Sequence, residues 1–136
     1  MKVFYDTSAF IKLFQEEFGS DEIVKLRNDA SENAVSIICI PETFSTLNRL
    51  KRDKRFNSSV YAQLKREVLH ELESFFICEL ENQIIAESIN IIEKNPLKGM
   101  DSIHVSTALK WKADLFVSAD KQQLKSAKAN GLNVDF

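Results

Sequence analysis

Proline and glycine are scarce in this chain, two and three respectively in 136 residues, too few for a collagen-like or low-complexity protein. With 44% hydrophobic and 28% charged residues, the composition instead fits regular helices and strands around a buried core. Long apolar runs are missing too. None approaches the ~18 residues needed to cross a bilayer, and Lys2 leads directly into a short apolar strand without a cleavable signal pattern. A cytoplasmic protein with no membrane partner is therefore expected. Histidine and cysteine number only two each, which leaves little for a zinc site. Cys39 and Cys78 lie in the apolar stretches 37–40 and 75–80, where a thiol behaves as a small buried hydrophobe. They read as reduced core residues rather than a disulfide or metal pair. Positive charge is not in excess either: 18 Lys and Arg face 20 Asp and Glu, a net charge of −2, which on the sum alone argues against a nucleic-acid partner.

What is present is a chain of one-domain length, residues 1–136, able to bury roughly two-thirds of the surface its unfolded form exposes. It shows no internal repeat and no linker. Val3 to Tyr5 reads as a short strand, followed by Asp6-Thr7-Ser8, any of which can cap a helix carrying Phe10, Ile11, Leu13 and Phe14. Gly19-Ser20 breaks that helix, and Ser20 can cap the next, with Ile23, Val24 and Leu26. Residues 34–40 read as a buried strand. Pro41 suits a helix's first turn, and Glu42 beside it favours the positive end of the dipole. Asn57 or Ser58 caps a long helix in which Val60, Leu64, Val68 and Leu72 form a core stripe. A strand over 75–80 precedes a helix marked by Ile84, Ile85, Ile89 and Ile92 and closed by Asn95-Pro96. Asp101 opens a further helix, residues 114–119 form a strand, Asp120 opens the last helix, Gly131 ends it, and 132–136 give a final strand. Alternating strands and helices predict an α/β fold, a three-layer α/β/α sandwich around a mostly parallel sheet.

On that plan Asp6 and Asp120 each follow a strand, while Glu42 and Asp101 each open a helix. In open parallel sheets the crevice beyond the strands' carboxyl ends is where ligands bind. The four acids are separated by 36, 59 and 19 residues, so they form a folded constellation rather than a linear motif. Converging carboxylates repel one another, and the cluster should hold raised proton affinities or a hard cation such as magnesium or manganese. With those four acids committed, the remainder carries 18 basic against 16 acidic residues. The basic side chains cluster at Arg49, Lys51, Arg52, Lys54 and Arg55, at Lys65 and Arg66, and at Lys121, Lys125 and Lys128. Proximity to a catalytic site would make them RNA contacts; without it they are solvated helix faces.

The order of these pieces resembles the PIN-domain family, in particular its small VapC-like members. Phe4-Tyr5-Asp6-Thr7-Ser8-Ala9-Phe10 is similar to the family's opening strand, Asp-Thr/Ser-Ser-Ala and apolar helix, and Glu16-Glu17 through Gly19-Ser20 resemble its helix break. Ile40-Pro41-Glu42 falls where the family has its second acid. Residues 99–108 are similar to its Asp-x-x-His-x-x-x-Ala helix. Residues 116–121 and 127–132 resemble its strand, Thr/Ser-x-Asp turn and Ala-x-x-x-Gly-Leu ending, with Ser118 in place of the threonine often seen there.

That resemblance implies a magnesium-dependent endoribonuclease, with manganese as substitute, often the toxin of a toxin–antitoxin pair. It implies RNA as substrate, a cognate antitoxin and a homodimer. Asp6 and Asp101 would be the direct metal ligands, with Glu42 and Asp120 completing the catalytic site directly or through water. Thr7, Ser8 and Ser118 are accessory candidates, although capping explains Thr7 and Ser8 equally well. His104, one turn beyond Asp101, reads as a buried histidine tied to backbone rather than a general base. If the sequence has a homodimer interface, the apolar faces around Phe10 to Phe14 and Ile84 to Ile92 are candidates. Two alternatives remain: a non-catalytic PIN-fold module binding RNA or protein, and a PIN nuclease of RNA processing without an antitoxin. An aspartyl-phosphate phosphatase would want an acid where Ser8 stands, and a receiver domain would want its acceptor Asp in mid-chain.

Overall fold

The computed structural model describes residues 1–15 and 18–136; the Glu16-Glu17 part of the expected helix break lies outside the described residues. Strand β1 (Lys2–Tyr5) leads into a short helix α1 (Thr7–Phe10), continued by a 3-10 turn over Ile11–Leu13, and then α2 (Ser20–Asp29). Next come β2 (Glu32–Ser36), α3 (Cys39–Arg52), α4 (Ser58–Leu72) and β3 (Phe76–Cys78). The chain closes through α5 (Asn82–Lys94), α6 (Gly99–Trp111), β4 (Leu115–Val117), α7 (Lys121–Ala129) and β5 (Val134–Asp135).

The five strands form one sheet in the order β3-β2-β1-β4-β5, and every neighbouring pair is parallel. A parallel sheet needs cover on both faces because its crossovers carry helices, and the alternation along the strands supplies both. Val3 and Tyr5 of β1, Val35 of β2 and Val117 of β4 point to one side, into a core completed by Phe10, Ile23, Leu47 and Val68 from α1 to α4. Phe4, Ala34 and Phe116 point to the other, against Ile91, Val105 and Ala127 from α5, α6 and α7. Phe4 and Phe116 stack with ring centroids 5.9 Å apart. The expected three-layer α/β/α arrangement is what forms, with a sheet that is wholly rather than mostly parallel.

Several boundaries differ from the sequence reading. The apolar run 34–40 divides: β2 ends at Ser36, and α3 begins at Cys39. A short apolar run does not distinguish strand from buried helix by periodicity, and here Ile37 gives its N–H to the Cys78 carbonyl at 2.9 Å before the chain turns. Glu42 accordingly sits in the first turn of α3 as its fourth residue rather than opening it, and Asp101 is the third residue of α6, which starts at Gly99. Gly19, not Ser20, occupies the cap of α2; its φ of +87° suits glycine, and a Cβ there would meet the Phe136 ring at 2.2 Å. Asn57 caps α4 by accepting from the Val60 N–H at 2.9 Å, as expected. Both cysteines are buried and unpaired with each other, and desolvation pushes the Cys39 thiol up to about 12 and Cys78 to about 11, so neither is a ready thiolate. No helix among the described residues is long and apolar enough to cross a membrane.

Candidate active site

The order β3-β2-β1-β4-β5 places β1 between strands reached by crossovers on opposite faces, so the chain leaves the sheet in diverging directions at the carboxyl end of β1 and β4. A crevice opens at such a point. The junction is closed by backbone: the Asp6 N–H donates to the Val117 carbonyl at 3.1 Å.

Asp6 stands first in that crevice and is fully buried. It caps α1, Oδ1 accepting from the Ala9 N–H at 2.9 Å and from the Ser8 hydroxyl at 2.7 Å, while Oδ2 accepts from the Ser118 hydroxyl at 2.6 Å. Desolvation nevertheless dominates and raises its proton affinity, against the lowering effect of His104 and these hydrogen bonds. Capping and site membership are therefore both true of Asp6. Ser118 also accepts the Asp120 N–H at 2.9 Å, and Ser8 accepts the Ala119 N–H at 2.9 Å, so these two hydroxyls stitch the end of β1 to the end of β4.

Glu42 arrives from α3. Its Oε1 accepts from the Thr7 hydroxyl and from His104 Nε2, each at 2.6 Å. Desolvation pushes its carboxyl up, but the His104 and Thr7 hydrogen bonds together with the positive field of the imidazole outweigh it, and the net displacement is downward. His104 thus departs from the expected backbone tie: buried at 1% exposure, it is bound to the second acid, and its Nδ1 has no hydrogen-bond partner among the described residues.

Asp101 and Asp120 come from the opposite layer. Asp120 caps α7, Oδ1 accepting from the N–H groups of Gln122 at 2.8 Å and Gln123 at 3.3 Å. Asp101 is half-buried; desolvation raises its proton affinity first, with further upward push from Asp120, Asp6 and Glu42. The mutual effect on Asp101 is the electrostatic signature of acids facing a common space. Asp6, Glu42, Asp101 and Asp120 line one cavity of about 360 Å³ together with Thr7, Ser8, Ser45, Thr46, His104 and Gln123. Three of those residues, Ser45, Thr46 and Gln123, were not legible as site members, since small polar residues within helices carry no motif.

The donor set is all oxygen, which suits a hard cation. Among the described residues no three His, Cys, Asp or Glu stand close enough to close a metal shell by side chains alone. A cation there would need water for part of its shell, as magnesium commonly does.

A family model for the PIN domain matches residues 3–129. The chain belongs to the PIN domain family. By sequence, no curated protein matches it. Solved structures share the fold of this PIN domain at low identity. PAE2754 of Pyrobaculum aerophilum superposes with a TM-score of 0.75 at 19% identity, over 98% of this chain and 83% of its own. A chain of a toxin-antitoxin complex from Klebsiella pneumoniae gives 0.71 at 21% identity, covering 98% and 96%. VapC20 of Mycobacterium tuberculosis, described as a sarcin-ricin loop cleaving toxin, gives 0.68 at 12% identity, covering 96% and 95%.

Proposed function

We propose that this PIN domain is a divalent-metal-dependent endoribonuclease and the toxin of a toxin–antitoxin pair. The observation that carries the reading is the gathering of four carboxylates from four separate elements into one cavity at the carboxyl end of a parallel sheet. Asp6 and Asp101 would hold magnesium or manganese, with Glu42 and Asp120 bound directly or through water. Bound there, the cation would polarise the scissile phosphate and lower the pKa of its water. The chain's own contribution is orientation: Ser8 and Ser118 fix both oxygens of Asp6, and Thr7 and His104 fix Glu42.

Basic side chains on and after α3 and at the start of α7 would supply the phosphate contacts. On α3, Ser45 and Thr46 line the cavity, and Arg49 lies one turn further along the same helix face. Arg49, Arg52, Lys54 and Arg55 are exposed, and none forms an ion pair among the described residues. Lys121 directly follows Asp120 and is exposed. These groups offset phosphate charge along a single strand.

For partners, the reading includes an antitoxin and a homodimer. Of the two apolar faces named as interface candidates, Phe10 is in the core, whereas Ile85, Ile89 and Ile92 of α5 are 39–53% exposed, which favours α5 as the dimer face we propose. Sedimentation or light scattering of the chain with Ile89→Glu tests this.

Incubation of the purified chain with single-stranded RNA decides the main reading. Cleavage should require magnesium or manganese, stop with chelator and vanish in Asp6→Asn; equal rates for parent and variant would refute it. The second reading, a non-catalytic RNA- or protein-binding module, draws support from the absence, among the described residues, of any group of three or more His, Cys, Asp or Glu placed to hold a metal ion. It predicts RNA or protein binding with no cleavage at any metal concentration.

A further inference from the structure

One side chain in the cavity has no evident reason to be there on grounds of stability. Gln123, the third residue of α7, is 4% exposed. Its Oε1 has no hydrogen-bond partner among the described residues, and a buried amide carbonyl left unpaired is a cost to the folded state. An apolar residue of similar size would avoid that cost. What the glutamine does make is a link between two acids. Its Nε2 donates to Asp101 Oδ1 at 3.2 Å, and its backbone N–H donates to Asp120 Oδ1 at 3.3 Å. Asp101 belongs to α6 and Asp120 to the start of α7, so one residue reaches carboxylates on two separate helices.

The electrostatics say why a donor is useful at that point. Asp101 is pushed by Asp120, Asp6 and Glu42, and a carboxylate among like charges swings away from them unless something holds it. Gln123 is the only hydrogen-bond partner of the Asp101 carboxylate among the described residues. A neutral amide holds Oδ1 without adding a charge that would compete with a cation for Oδ2.

We infer that Gln123 is a positioning residue, fixing Asp101 against Asp120 so that the pair presents oxygens to a divalent cation. The inference rests on the proposed cation-binding role of this cavity. Groups that orient metal ligands in this manner typically change metal affinity about 10- to 100-fold when removed.

Calorimetric titration of the full chain with manganese, run beside apo thermal melts, tests it. Gln123→Leu removes the donor together with the unpaired carbonyl and leaves the backbone bond to Asp120 intact; Gln123→Met is the second variant should the leucine pack poorly. The expected result is a melting temperature held or raised without metal, and manganese affinity reduced about tenfold. Combining Gln123→Leu with Asp101→Asn should weaken binding no further than Asp101→Asn alone, because the glutamine acts through that acid. Affinity within twofold of the parent in a folded variant overturns the inference and leaves the cation-site reading standing. A lower melting temperature with affinity unchanged overturns it equally, as a structural role. A parent chain that takes up no manganese overturns the cation site and this inference together.

Discussion

Asp6 carries two duties at once, and their energetic signs oppose. As a helix cap with three hydrogen-bond donors it stabilises α1; as a fully buried carboxylate it is desolvated. The raised proton affinity shows that desolvation prevails. For an acid whose folded value lies above its unfolded one, the native state binds more protons through the interval between them, so stability falls as pH rises from the ordinary value of 3.8 to the raised value. Asp6→Asn removes that penalty while keeping an oxygen for the Ala9 N–H, and the Ser118 hydroxyl can turn to accept from the new amide. The metal-free variant should thus melt at or above the parent's temperature at neutral pH, with any manganese-induced rise abolished; a drop of many degrees would mark the residue as a cap and nothing more. At this scale the sequence revealed those acids that follow strands, since Asp6 and Asp120 are tied to a strand end by position alone. It was mute on Gln123 and on the partner of His104, because Gln122 and Gln123 are alike in a linear reading, and only the packing of α7 against α6 turns the second inward.

Helix α3 joins the cavity to the solvent, and its faces do different work. Leu47 is 1% exposed in the core below the sheet, while Arg49 is exposed beyond the cavity residues Ser45 and Thr46. Leu47→Ala should cost about 2–5 kcal/mol in denaturant unfolding. Arg49→Ala should stay within ~0.5 kcal/mol yet weaken single-stranded RNA binding measured by anisotropy at low salt; unchanged RNA affinity would remove α3 from the substrate path. Elements were recognisable wherever periodicity was one-sided, as in α4, where Leu64, Val68 and Leu72 of the expected core stripe are buried, although its first member, Val60, is 40% exposed in the helix's opening turn. Where apolar residues fell on every side, the helix itself was legible, as α5 was, but not which of its faces is buried. In α5 the buried positions are Ile84, Ser88 and Ile91, and the isoleucines at 85, 89 and 92 face out; a serine inside and isoleucines outside invert the ordinary pattern.

For the molecule as a whole, alternation of strands and helices announced a parallel sheet, but strand order is a matter of which crossovers pack together, and no local residue encodes it. The consequence is dependence on distant chain. Phe116 and Val117 of β4 and Ala127 of α7 are fully buried, and β4 pairs directly with the central β1. A fragment ending at Lys112 should therefore show no cooperative thermal transition by circular dichroism; a sharp melt would mean that the first three strands hold by themselves.

That central pairing also sets a clock on synthesis. The hydroxyl that steadies Asp6 belongs to a residue 112 positions later, and two of the four acids, Asp101 and Asp120, are added to the growing polypeptide 95 and 114 positions after Asp6. On a ribosome the crevice therefore stays unassembled until the strand carrying Val117 has left the exit tunnel and paired with β1, and whatever the four acids do together begins only then.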